Sequence, residues 1–361
     1  MLPAIFRVDG SSHLGMGHVM RCLALAGGLA QRGVNSQFIV KEFEARVTEL
    51  IRAHGFDVEV IPTDVRAEED ARLTRVTALR HGANLIVTDL CNRPALGNRP
   101  ELDLYHRLLG NEFATVCLSG GDAIDVPAAI VVYPYYRTSL PNLIDEGKGV
   151  RLIGPAYFIF RPEFTQAALA DRPIATVASR ILVLIGGADE YHLTTKTARA
   201  ICALPQPGLS IRIVIGPAFP KELIHEITDL LGGFKGDWGL LESGTNLAEA
   251  MLWADLAITG DGLTKYETAV TGTPSLMLSR PDSEAQINHE FEQAGSTRHL
   301  GDGTAISVGE LVEKIELAIE NQNLRQRMSQ RGKAIVDGKG IERILAALPT
   351  GLISGSRLIY P

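Results

Sequence analysis

The chain has 361 residues, 45% hydrophobic and 21% charged, with 36 glycines and 18 prolines, which suits a folded, turn-rich protein of two domains and excludes a disordered or fibrous one. Its formal net charge of -7 gives no general attraction to nucleic acid, which is not expected as a partner. No apolar stretch approaches the roughly 20 residues that cross a bilayer, "MLPAIFRVDG" turns polar too early for a signal peptide, and Cys22, Cys91, Cys117 and Cys202 form no CxxC or metal-ligand spacing, so a cytoplasmic protein with reduced, mostly buried thiols is expected.

Apolar runs predict strands at 4–8 ("AIFRV"), 36–40, 84–89 ("NLIVTD"), 114–119 and 128–134, with helical spacing over 17–31 and 70–81 between them. Periodicity breaks over 161–179, where Pro162 and Pro173 mark a join. The alternation restarts with strands at 180–187 ("RILVLIGG"), 209–217, 238–243, 255–260 ("DLAITG") and 274–280, and helices over 193–203, 219–231, 246–252, 264–271 and 284–294. A late helical pattern covers 307–347 with a break at "GKG", and "GLISGSRLIYP" reads as a tail. The fold class is α/β: two doubly wound, Rossmann-like domains with buried parallel sheets, expected over 1–163 and 178–345.

In such sheets ligands collect where strands end and helices begin, because free helix N–H groups and the helix dipole favour an anion there. "DGSSHLGMGH" lies between strand 4–8 and a helix whose apolar positions Val19, Cys22, Leu23, Ala26 and Leu29 recur at helical spacing. Gly15 and Gly17 allow a tight turn or a close approach to a ligand. His18, in the first turn, is either a base that takes a proton from water or a side chain that satisfies local backbone groups. Asp9 either caps the turn or touches substrate, and Arg21, one turn beyond His18, anchors a phosphate or a neighbouring carboxylate.

These residues resemble the nucleotide-sugar hydrolases of nonulosonic acid biosynthesis, whose best-known member releases a diacetamido trideoxy hexose from UDP on the way to pseudaminic acid. The family pattern R-x-D-G-S-x-x-x-G-x-G-H-x-x-R-C corresponds to Arg7, Asp9, Gly10, Ser11, Gly15, Gly17, His18, Arg21 and Cys22. "GPAYFIFRPEF" (154–164), "LIGGAD" (184–189) and "ADLAITGDGLTKYETAVTGTPSLMLS" (254–279) extend the likeness, which reaches in turn to two-domain bacterial glycosyltransferases that use UDP-N-acetylglucosamine. The resemblance implies a GT-B-like fold, with two domains facing each other across a cleft. The sugar would meet the first domain and the second, holding Gly187, Asp189, Gly262, Thr264 and Glu267, would bind the nucleotide. It implies hydrolysis of a UDP-linked amino or deoxy sugar with His18 as base and no metal or other cofactor. The alternatives are a glycosyltransferase using the same donor and a noncatalytic sugar-nucleotide-binding protein.

The chain departs from the family at two places. Asp261 puts a carboxylate where a glycine would approach diphosphate, which is costly unless it turns away or is paired, and Leu263 removes a hydroxyl. Asp282, Ser283 and Glu284 stand where the family has Asp-Asn-Gln near the sugar, which argues for a related rather than identical substrate. Lys265 and Arg280 are candidate compensating cations, each otherwise a surface residue. Asp89 and Asp122 lie at strand edges and either meet ligand or cap turns, the tyrosines of "VVYPYYR" (131–137) either stack on a ring or pack, and His192 and His289 have no partners at zinc spacing.

Overall fold

The computed structural model describes residues 3–11, 16–41, 44–90, 99–118, 125–136, 149–242, 244–281 and 285–349, and Cys91, Asp122 and the tail 351–361 fall outside them. The described residues up to Tyr135, with 149–161 and those from Lys339 onward, form one unit; Tyr136 and Pro162–Gly338 form the other. Each unit is built on one parallel sheet.

In the first unit the chain runs β1 (Ala4–Val8), α1 (Gly17–Gln31), β2 (Ser36–Lys41), α2 (Ala45–Ala53), β3 (Asp57–Ile61), α3 (Ala67–His81), β4 (Leu85–Asp89), α4 (Arg99–Gly110), β5 (Ala114–Leu118), β6 (Ile130–Tyr133) and β7 (Val150–Ile153). The sheet order is β3-β2-β1-β4-β5-β6-β7, so the order reverses between β1 and β4. Successive side chains of a strand leave opposite faces. Ala4, Phe6 and Val8, with Leu85 and Val87, join one core against Val19, Cys22, Ala26 and Leu29 of α1. Ile5 and Ile86 join the other, against Ala67 and Ala71 of α3 and Leu102 and Tyr105 of α4.

The second unit holds α5 (Pro162–Ala167), β8 (Arg180–Leu184), α6 (Leu193–Cys202), β9 (Ser210–Val214), α7 (Lys221–Gly232), β10 (Asp237–Leu241), α8 (Leu247–Trp253), β11 (Leu256–Gly260), α9 (Thr264–Thr271), β12 (Ser275–Ser279), α10 (Ala285–Gln293), β13 (Thr297–Asp302), α11 (Val308–Glu320) and α12 (Gln322–Ile335). Its sheet order is β10-β9-β8-β11-β12-β13, reversing between β8 and β11. The irregular segment after α5 is tied down by cations that meet its carbonyls: Arg325 Nη2 donates to Ala175 O at 2.5 Å and to Thr176 O at 3.1 Å, and Lys333 Nζ donates to Ala170 O at 2.6 Å. The last helix, α13 (Gly340–Ala347), belongs to the first unit. It lies so close to α1 that a Cβ at Gly28 would stand 2.6 Å from Ile341 Cγ2.

Three strands that no apolar run marks, β3, β7 and β13, are all edge strands. With one neighbour each and partly exposed residues, they lack the continuous apolar signature of the central strands.

Arg7 sits inside the sheet and is fully buried. Nε and Nη2 donate to Asp70 of α3 at 2.9 and 2.7 Å, and Nη1 and Nη2 to Asp9 at 2.5 and 2.9 Å. Burial would strip the guanidinium of its proton, but the charges of Asp9 and Asp70 outweigh it and hold the arginine pKa well above its ordinary value. Asp9 also accepts the Lys41 amide at 2.9 Å. Removing one partner of a buried ion group leaves charge uncompensated. Asp70→Ala is therefore expected to lower unfolding free energy by about 3–5 kcal/mol in urea titrations; a loss below about 1 kcal/mol would contradict the role assigned to the triad.

His106 of α4, also fully buried, stands 3.2 Å from Thr88 Oγ1 through Nε2. Burial pulls its pKa down to about 3. The unfolded chain, with an imidazole near 6.5, takes up the proton first as pH falls, so the stabilisation is complete above about pH 6.5 and is lost toward pH 3. At pH 4.5 the loss from this group amounts to about 2–3 kcal/mol. Urea titrations at pH 7.5 and 4.5 should show His106→Asn less acid-sensitive than the parent by that amount; equal sensitivity would refute it.

Candidate functional site

The reversal between β1 and β4 leaves a crevice at the carboxyl ends of these strands, where adjacent helices diverge to opposite faces. Val8 pairs with Asp89 and Arg7 with Thr88 across it. By alternation Thr88 faces α4, where it meets His106, and Asp89 faces α1. His18 and Arg21, three residues apart, share one face of α1, and both converge on Asp89.

The Asp89 side chain is fully buried. Arg21 grips it with two donors, Nε to Oδ2 and Nη2 to Oδ1, the latter at 2.5 Å, and His18 Nδ1 lies 2.9 Å from Oδ1. Burial raises the carboxyl pKa, but the charge and hydrogen bonds of Arg21, together with His18, overcome this and hold it well below the usual carboxylate range. An ionised carboxylate only accepts hydrogen bonds, so His18 Nδ1 carries a hydrogen, and in the neutral imidazole the lone pair then lies on Nε2. The 3.2 Å approach of Arg21 Nη2 to Nδ1 is then a contact between two donors, not a second hydrogen bond. Arg21 Nη1 donates to Tyr135 Oη at 2.7 Å, and the Tyr135 ring packs edge-on against Tyr133 at 5.4 Å. The His18 side chain is 29% exposed, which leaves the imidazole within reach of a ligand. The arrangement is an oriented imidazole on a clamped carboxylate.

Asp9 is buried and directed into the Arg7 triad. Arg21 meets a neighbouring carboxylate, Asp89. Gly17 opens α1 and is exposed, whereas Gly15 lies outside the described residues. Asp89 and Tyr135 complete the cluster. The polar residue ending "NLIVTD" was the only sequence signal for Asp89, and nothing local linked Tyr135 to Arg21.

In the second unit the corresponding crevice lies at the ends of β8 and β11. The backbone there is tightly packed: a Cβ on Gly260 would stand 2.2 Å from Ile185 O. Gly187 is exposed and accepts the Ala218 amide at 3.0 Å. Asp189, at a left-handed φ of 49°, accepts the Leu193 and Thr194 amides at 2.9 and 2.8 Å. Its carboxylate thus closes the N-terminus of α6. The residue before α9, Leu263, makes no side-chain cap. Gly262 is exposed there, and Thr264 and Glu267 are half-buried on the first turn. Asp261 is turned away and paired with Arg280, Oδ1 to Nε at 3.2 Å. Lys265 is buried, donating to Asp261 O at 3.2 Å and Asn288 Oδ1 at 3.0 Å. Asp282, Ser283 and Glu284 lie outside the described residues.

Among the described residues no group of three His, Cys, Asp or Glu side chains is placed to hold a metal ion, and no helix is long and apolar enough to cross a membrane.

No protein-family profile matches the chain. It is 27% identical over 347 residues to the spore coat polysaccharide biosynthesis protein SpsG of Bacillus subtilis, covering 94% of this chain and 96% of that one. Over 159 residues, 43% of this chain and 42% of the relative, it is 28% identical to the UDP-N-acetylglucosamine–N-acetylmuramyl-(pentapeptide) pyrophosphoryl-undecaprenol N-acetylglucosamine transferase of Mannheimia succiniciproducens. Among solved structures, MurG of Acinetobacter baumannii superimposes with a TM-score of 0.68 at 15% identity, covering 95% of this chain and 98% of MurG. The two parallel-sheet α/β units are those of a GT-B-like fold.

Proposed function

We propose that the chain catalyses glycosyl transfer from a nucleotide-activated sugar, with His18 as the base that takes the proton of the attacking hydroxyl. The Asp89–His18 pair at the carboxyl edge of the first sheet carries this reading. Full-length similarity to a polysaccharide biosynthesis protein supports it, as does part-chain similarity to a transferase whose name includes UDP-N-acetylglucosamine.

The acceptor oxygen attacks the anomeric carbon as the bond to the nucleoside diphosphate breaks. The hydroxyl proton passes to His18 Nε2, and Asp89 stabilises the imidazolium that forms. Direct attack opposite the leaving group inverts the anomeric centre. Gly262, Thr264 and Glu267 are the second unit's candidates for the nucleotide: amides at the start of α9 for phosphate and the Glu267 carboxylate for ribose hydroxyls. Hydrolysis is the second reading, favoured by the Arg7-to-Cys22 pattern; water then replaces the hydroxyl and the base is unchanged.

Nucleotide release from UDP-, CMP- and GDP-linked amino and deoxy sugars, with and without sugar or lipid-linked alcohols, separates the two. Release that requires an acceptor and yields a new glycoside supports transfer, whereas release to free sugar without one selects hydrolysis. Binding without turnover under either condition overturns both. His18→Ala and Asp89→Asn should each lower kcat by about 10²–10⁴-fold. The double variant should be little worse than His18→Ala alone, because the two act as one unit. Undiminished kcat in His18→Ala would remove the assigned base.

A further inference from the structure

Asp261 is the departure that the proposed chemistry leaves unexplained. Its side chain is only 5% exposed and is directed at Arg280. Oδ2 accepts the Arg280 backbone N–H at 3.4 Å and Oδ1 the Nε–H at 3.2 Å. Gly260, ending β11, pairs with Leu278 of β12, so the two residues that follow these strands stand side by side at the carboxyl edge. β11 is one of the two strands where the order reverses.

The contact engages Arg280 sideways, through Nε. Among the described residues Nη1 and Nη2 meet no acceptor, and the side chain is 56% exposed. An arginine held by Nε keeps its outer edge as a planar fork that matches two phosphate oxygens. Of the two cations in this loop region, Lys265 is buried and bonded to Asp261 O and Asn288; only Arg280 presents donors outward. A diphosphate approaching the β11–α9 turn therefore meets a neutralised carboxylate and an exposed guanidinium edge rather than a bare negative charge.

We propose that Arg280 binds the phosphate group of a nucleoside diphosphate at this edge, and that Asp261 is tolerated there because Arg280 balances it. The inference rests on the nucleotide-sugar reading above. Calorimetric titration of the full chain with UDP, CDP and GDP, and with the matching monophosphates, tests it on the parent, Arg280→Gln, Arg280→Lys and the Arg280→Gln/Asp261→Asn double variant. Arg280→Gln should weaken the bound diphosphate by about 10- to 100-fold and the monophosphate by less than about threefold, with Arg280→Lys in between. The double variant should recover part of the loss, because it removes the carboxylate that Arg280→Gln leaves unbalanced. Melting curves close to the parent's establish that each variant is folded. Diphosphate binding within about twofold of the parent in Arg280→Gln, equal loss of mono- and diphosphate, or no recovery in the double variant overturns this inference alone. A folded parent that binds none of the nucleotides overturns the nucleotide-sugar reading and this inference with it.

Discussion

Ionised groups buried at the carboxyl ends of β1 and β4 are the constraint around which the first unit is arranged. Asp9, Asp70 and Asp89 are nearly or fully out of water, and each is met by an arginine that is itself buried: Arg7 between Asp9 and Asp70, and Arg21 on Asp89. Several kcal/mol of desolvation per ion is recovered only if the partners stay in register. Register is what the strands supply, since Arg7 and Asp89 come from adjacent paired positions across the central strands. Alternation sends Arg7 toward α3 and Asp89 toward α1, so one ion group pins α3 to β1 and the other pins α1 to the adjacent β4, on opposite faces of the sheet.

This division decides what His18 can do. The apolar stripe of α1 sets its axis on the sheet, and α13 packs against its far side at Gly28. Arg21 then fixes the rotation of α1 by gripping Asp89. With axis and rotation both set, the first-turn histidine has one hydrogen-bond direction inside, to the same carboxylate, and its other nitrogen is left for a ligand. A histidine on a fraying helix end would lack that orientation. Here a buried salt bridge one turn further on supplies it.

The central strands were legible in the sequence because a strand buried on both faces must be apolar almost throughout. The edge strands β3, β7 and β13 carried no such mark, since one side of each lacks a neighbour and polar residues are tolerated there. His18 and Arg21 were legible together because their spacing puts them on one helical face just after a glycine-rich turn. Asp89, 71 residues from His18, was visible only as a polar end to an apolar run, and its pairing is a property of strand order, which local pattern does not encode. Asp9, read as either a turn cap or a substrate contact, and Asp189, read as a contact in the second domain, are engaged by Arg7 and by the first amides of α6, respectively.

The two helix starts at the edge of the second sheet differ for the same electrostatic reason. A helix N-terminus presents free N–H groups and partial positive charge that need an anion or water. At α6 that anion is built in: Asp189 adopts a left-handed backbone conformation, unusual for a residue with a Cβ, to bring both carboxylate oxygens onto the first amides. At α9 the preceding carboxylate, Asp261, is drawn sideways to Arg280 and away from the helix, and Leu263 offers no cap. A single carboxylate therefore closes one helix start, while a single ion pair keeps its neighbour from being closed in the same way.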